Sequence, residues 1–159
     1  NCSMHDLVKN IFLFISHRLN NEEIILNKTI KPPDLRLYCS ARHFEQVLIN
    51  MIINAIDSIE EKKLAVPVCL MKIDLNIYSV STSVVIKLID SGNGIEKEKL
   101  AEIFNPFFTT KVKSKGTGLG LSIVTSILNL HDAEIDVESE VGVGTAFTMV
   151  FPDMRNLSF

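Results

Sequence analysis

Apolar and polar positions along this chain repeat with two periods, and the places where the period changes mark the elements. From Ser3 to Asn20 the residues Leu7, Ile11, Phe14, Ile15 and Leu19 recur at helical spacing, and Ser3 with Asp6 three residues on gives an N-cap signal. Glu23 to Ile30 and Leu35 to Cys39 read as short strands around Pro32-Pro33-Asp34. Ser40 caps a second helix that runs to about Glu61. Val68 to Tyr78 and Val84 to Ile89 alternate and are rich in β-branched residues, which predicts a hairpin turned at 79–83. Lys97 to Ile103 predicts a short helix interrupted at Asn105-Pro106, and Leu119 to Leu130 a third long helix. Glu134 to Glu138 and Thr145 to Phe151 form a last hairpin across Gly142-Val143-Gly144. Strands follow strands instead of alternating strictly with helices, so a layered α+β sandwich is favoured over a doubly wound parallel sheet.

A length of 159 residues fits one domain, here 1–159, with no repeat or linker. Sixteen basic and 19 acidic residues leave a net charge of −3, which excludes a basic nucleic-acid binder. No apolar run reaches the roughly 18 residues a membrane helix needs, and the first residues lack a signal-peptide pattern. Three cysteines without metal-type spacing give neither a disulfide framework nor a zinc site. The expectation is a soluble, cytoplasmic domain without membrane contact of its own.

The glycines carry more information. All seven fall in three clusters, at 92 and 94, at 116, 118 and 120, and at 142 and 144. Glycine is needed where backbone takes positive φ or where main-chain N–H must approach a ligand, so three such loops suggest a small molecule held between them. On the second helix Gln46, Asn50 and Asn54 stand in line between two apolar stripes, Phe44, Leu48, Met51, Ile52, Ala55 and Ile59 on one side and Ile49, Ile53 and Ile56 on the other. Such amides are either satisfied core groups or a polar line facing a pocket, where their carbonyl oxygens suit Mg²⁺. Asp90 ends an apolar strand and is either a turn residue or an acceptor for an exocyclic amine such as adenine's. The glycine cluster at 116–120 opens a helix and can offer N–H groups to phosphate. It lacks the Gly at 121 of a dinucleotide fingerprint and the Gly-Lys-Ser/Thr of a Walker loop.

Taken together, Gln46-x3-Asn50-x3-Asn54-Ala55, Asp90-Ser91-Gly92-Asn93-Gly94, Phe104-Asn105-Pro106-Phe107-Phe108-Thr109-Thr110-Lys111, Gly116-Thr117-Gly118-Leu119-Gly120-Leu121 and Gly142-Val143-Gly144-Thr145 resemble the N, G1, F, G2 and G3 boxes of the histidine-kinase catalytic and ATP-binding domain. The match covers a core from about 7 to 152. The resemblance implies the Bergerat ATP-binding fold, a two-layer α/β sandwich whose mixed, mostly antiparallel sheet is covered by three helices. It implies ATP and Mg²⁺ as cofactors. Asp90 would accept the adenine amino group, Gly92 and Gly94 would shape that pocket, and Thr145 would assist through water. Asn54 would ligate Mg²⁺, Asn50 would sit near the phosphates, and Gly116, Thr117, Gly118, Leu119 and Gly120 would offer backbone to them. Residues 109–115 would form a lid rooted on Phe107 and Phe108, with Lys111 as the phosphate-gripping cation.

The chain departs from the family pattern at two places. Thr109-Thr110 precede the first basic residue, and His131-Asp132-Ala133 replaces His-Gly-Gly, so Asp132 would take a left-handed conformation. His131 reads as a helix C-terminal residue facing the dipole, and His5 and His43 as surface residues. The resembled domain belongs to a superfamily with gyrase, MutL and the heat-shock chaperone ATPases, whose gyrase-like branch has a carboxylate where Asn50 stands. Asparagine cannot take a proton, which favours transfer to a histidine, already nucleophilic near neutral pH, over hydrolysis. Ser16-His17-Arg18 is only superficially an acceptor motif, so the dimerisation and phosphoacceptor domain is expected to be absent from this chain. That domain and a downstream response regulator are the implied partners, with a parent protein either free or membrane-anchored. A slow ATPase and a non-catalytic nucleotide-sensing module are the alternatives.

Overall fold

The computed structural model describes residues 1–109 and 118–152. Helix α1 (Met4–Asn21) starts where Ser3 Oγ accepts the Asp6 N–H at 3.3 Å, and α2 (Ala41–Ala65) where Ser40 Oγ accepts the His43 N–H at 3.4 Å. Each cap satisfies an amide that the first turn leaves without a partner. Ahead of α1 lies β1 (Cys2–Ser3), and between the two helices lie β2 (Ile25–Lys31) and β3 (Arg36–Leu37). After α2 come β4 (Lys72–Val80), β5 (Ser83–Asp90), a 3-10 turn at Lys97–Lys99, α3 (Gly120–Asn129), β6 (Glu134–Glu140) and β7 (Gly144–Phe151).

Five strands form one sheet in the order β2-β4-β5-β7-β6, parallel between β2 and β4 and antiparallel elsewhere. Ile73, Leu75, Ile77, Ile86, Leu88, Phe147 and Met149 are buried in one apolar core with Leu48, Met51, Ile52, Ala55 and Ile59 of α2. The α+β layering of three helices on a mixed, mostly antiparallel sheet is therefore as the residue pattern and the family resemblance implied. Each such Ile or Leu contributes about 1.5–3 kcal/mol of transfer free energy.

The differences are local. Phe14 is 70% exposed. It falls at the margin of the stripe that Met4, Val8, Ile11, Ile15 and Leu19 fill, beyond Leu7. The expected helix over 97–103 reduces to the 3-10 turn, because Ile103 is the one buried residue in that stretch and a lone anchor does not offset helix nucleation. The β4–β5 turn narrows to Ser81 and Thr82, with Ser81 at φ +52°. Strand β1, which pairs with β3, was not expected.

His43 is half-buried and not a free surface residue. Its Nδ1 lies 3.1 Å from His131 Nε2, with ring centroids 5.3 Å apart, so the pair ties the start of α2 to the turn after α3. Burial, and then the neighbouring His43, push the His131 pKa down, opposite to the dipole-stabilised imidazolium expected at a helix end. Asp132 takes φ +48°, as that turn requires in the absence of glycine. A folded-state pKa below the unfolded one means that stability is fully present above the ordinary histidine range and is lost as pH falls through the lowered value. Thermal unfolding at pH 7.5 and 5.5 should therefore show a smaller acid loss in His131→Gln than in the unaltered chain. Equal losses would contradict this role for the pair.

Candidate functional site

A cleft of about 650 Å³ opens between α2, the end of β5, the loop 91–96, the start of α3 and the β6–β7 turn. Asp90 stands at its floor, the last residue of β5, opposite Thr145 of β7 and only 5% exposed. Its Oδ1 accepts the Gly92 N–H at 2.8 Å. Burial pushes its carboxyl up to about 6, against the pull of the Gly92 and Thr145 amides and the Lys62 charge. At neutral pH the group is thus ionised and acceptor-only, which suits an exocyclic amine.

Gly92 acts from beneath, because a Cβ there would lie 2.2 Å from Ser58 Oγ and 2.8 Å from Asp90 Oδ1. Gly94 lines the cleft at φ +73°, pressed on Glu140. The Thr145 hydroxyl lies 2.9 Å from Ser139 Oγ. Ser139 donates its single proton to Gly144 O at 3.0 Å and accepts the Ile95 N–H at 2.8 Å, so Thr145 is the donor to Ser139 and keeps its lone pairs for the cleft.

At the other end Asn50 and Asn54 line the wall one turn apart. Gln46, the first amide of that line, is exposed and does not reach the cleft. Asn50 Nδ2 is buried and has no hydrogen-bond partner among the described residues. A Cβ at Gly120 would sit 3.6 Å from Asn54 Nδ2 and 3.8 Å from its Oδ1, so glycine leaves that amide uncovered. Gly118 also lines the cleft, at φ +67°, and its carbonyl accepts the Phe107 N–H at 2.9 Å. Leu119 is not brought to the cleft wall; its carbonyl accepts from Ile123 N and Ser122 Oγ inside α3. Phe108 packs at the edge of the core, whereas Phe107 is 75% exposed at φ +66°; the lid they were expected to root lies almost wholly outside the described residues. The positive φ of Phe107 turns its side chain outward while its N–H is held by Gly118. Lys111, Gly116, Thr117 and most of the lid segment 109–115 lie outside the described residues.

Sequence reasoning missed the apolar walls Ile53, Ile95, Ile103 and Phe147, and the polar residues Asn93 and Ser58. Ser58 was legible as the next member of the Asn50 and Asn54 row, whereas Phe147 enters only through the sheet. Asp57 also borders the cleft, and it pairs with Arg18 of α1 through Nη2, which reaches Glu60 as well at 2.9 Å.

Residues 39–155 match the family described as histidine kinase-, DNA gyrase B-, and HSP90-like ATPase. The chain belongs to this family. Among its relatives, sporulation kinase C of Bacillus subtilis (strain 168) is 31% identical over 150 residues, covering 94% of this chain and 33% of that protein. The sensor histidine kinase ZraS of Escherichia coli (strain K12) is 32% identical over 149 residues, covering 94% and 30%. The chain thus spans about a third of the length of these relatives. The nucleotide-free catalytic domain of histidine kinase ThkA superposes with a TM-score of 0.80 at 28% identity, over 96% of this chain and 93% of that one. Membership of this ATPase family makes the chain a nucleotide-binding domain.

As the base acceptor that the family resemblance implies, Asp90 should make binding depend on its ionisation. Affinity for ATP is expected to be flat above pH 7 and to fall about tenfold by pH 5, as protonation at about 6 removes the acceptor. Asp90→Asn should weaken binding at pH 7.5 by about 10–100-fold, the range of a charge-assisted hydrogen bond. The ratio between the two proteins cancels the titration of the nucleotide itself, so calorimetry of both across pH 5–8 isolates Asp90. A constant ratio would contradict the assignment.

Proposed function

We propose that this chain is the ATP-binding catalytic domain of a two-component sensor histidine kinase, with its core at about 7–152. It transfers the γ-phosphoryl of ATP to a histidine on a separate dimerisation domain, from which a response regulator is phosphorylated. The observation that carries this reading is Asn50, an amide whose buried Nδ2 has no partner among the described residues, one turn from Asn54 in the cleft. An uncompensated buried amide costs about 1–3 kcal/mol, which a phosphate oxygen would relieve.

Asp90 takes the adenine amine, while Gly92 fixes Asp90, Gly94 leaves room for the base and Thr145 offers its lone pairs through water. Gly118 and Gly120, which line the cleft, would offer N–H groups to the phosphates, and Gly116 and Thr117 are proposed to join them. Asn54 Oδ1, left open by Gly120, suits Mg²⁺, which takes one or two protein oxygens alongside phosphates. When bound there, Mg²⁺ would neutralise charge on the phosphate oxygens. Lys111 is the candidate cation from the lid. Asn50 cannot remove a proton from water, and a neutral histidine nitrogen needs no base. That nitrogen attacks the γ-phosphorus as the bond to the β–γ bridging oxygen breaks, leaving phosphohistidine and ADP.

The acceptor is proposed to lie outside this chain because His5, His17, His43 and His131 do not line the cleft. His17 is exposed on α1 with Nδ1 3.2 Å from Asn21 Nδ2. No helix among the described residues is long and apolar enough to cross a membrane. A cytoplasmic location is proposed from the histidine-kinase reading alone. Supplying γ-labelled ATP with a dimerisation domain in trans tests the whole reading.

A further inference from the structure

Asn50, Asn54, Ser58 and Lys62 follow one another at four-residue intervals on α2 and therefore share one stripe. The first two form the phosphate wall in the function proposed above, on which this inference rests. The other two are bonded to the loop that Asp90 begins. Ser58 Oγ accepts the Asn93 N–H at 3.0 Å, and Lys62 Nζ donates to Ser91 O at 2.9 Å. Between those two bonds Gly92 is pressed so closely on Ser58 that no side chain fits.

The loop has further anchors. Ser91 Oγ accepts the Lys72 N–H at 2.9 Å and donates to Leu70 O at 2.6 Å, and Asn93 O accepts the Gly142 N–H at 2.7 Å. These tie it to β4, to Leu70 just ahead of that strand and to the β6–β7 turn, which hold neither Asn50 nor Asn54. Among these anchors, the bonds from α2 alone refer the adenine acceptor directly to the two amides.

We infer that Ser58 and Lys62 are positioning residues for nucleotide binding, which use α2 as a rigid ruler to set the distance from Asp90 to Asn50 and Asn54, so that base and triphosphate are gripped together. Neither needs to touch the nucleotide. A helix rises about 1.5 Å per residue with little give, so the four-residue steps from 50 to 62 fix that distance. The Lys62 charge also favours the ionised form of Asp90, in keeping with the same arrangement.

A double-mutant cycle on this chain tests the inference, with Mg-ATP as the calorimetric probe. Ser58→Ala and Lys62→Met should each weaken ATP binding about fivefold, one net hydrogen bond apiece. In an Asp90→Asn background the same changes should cost less than twofold, because the group they position no longer accepts the amine. Ser58→Thr, which keeps the hydroxyl, should restore most of the affinity. In a transfer assay KM for ATP should rise while the rate at saturating ATP stays unchanged. If the losses are as large in the Asp90→Asn background as with Asp90 intact, or if neither variant weakens binding, the two residues do not act through Asp90 and the inference falls. Should Ser58→Ala fail to fold, the Lys62→Met arm decides alone. Failure of the unaltered chain to bind ATP would overturn the proposed function first, and this inference with it.

Discussion

Asn54→Ala is expected to cut phosphoryl transfer to a supplied histidine by about 10²–10³-fold, the effect of removing one group aimed at transition-state charge. Adenosine affinity should change less than twofold, because in the function proposed above Asn54 serves the phosphates while Asp90, at the other end of the cleft, takes the base. The side chain is uncovered at Gly120, so alanine removes the oxygen without creating a packing defect. Initial transfer rates and calorimetry with adenosine check the two halves separately. A parallel loss of adenosine binding would mean damage to the fold, and an unchanged transfer rate would remove Asn54 from the reaction.

Gly144→Ala should lower stability by about 3–5 kcal/mol, combining a clash with an unfavourable backbone conformation. A Cβ at 144 would lie 1.9 Å from Asp90 O and 3.2 Å from Ser91 Cα, and its φ is +149°. This glycine lets the start of β7 cross the end of β5 where Asp90 faces Thr145. Gly142, two residues away, provides the comparison. It has φ +81° but nothing within 4 Å of a Cβ, so Gly142→Ala should cost only the about 1–2 kcal/mol of a left-handed L-residue. Urea denaturation of both variants measures the difference. Equal costs would attribute the Gly144 requirement to backbone conformation alone.

The long elements were legible because their signals are local. Ser3 and Ser40 announce the helix starts they cap, and the alternation of 72–80 and 83–90 is visible without a partner strand. The three glycine clusters likewise pointed to one place, since each marks a backbone constraint written in its own residues. What stayed hidden depends on contacts between distant segments. Strand β1 is two residues long and exists through its pairing with β3. His43 meets His131 across 88 positions, and Phe147 becomes a cleft wall only because β7 lies beside β5. Gln46 shares its spacing with Asn50 and Asn54 yet is exposed to solvent, because the cleft does not extend that far toward the start of α2. A row of like residues shows one face of a helix and not where along it a pocket ends.

The central claim is a division of labour between this chain and a separate acceptor. The direct measurement is incubation with γ-labelled ATP and Mg²⁺, alone and with a dimerisation domain added at increasing concentration. Without a tether the acceptor lacks the roughly mM effective concentration of a short linker, so transfer should be slow and rise with the amount added. Label should appear on the added domain's histidine and not on this chain, and His17→Ala should change nothing. Label on this chain alone, lost in His17→Ala, would contradict the claim.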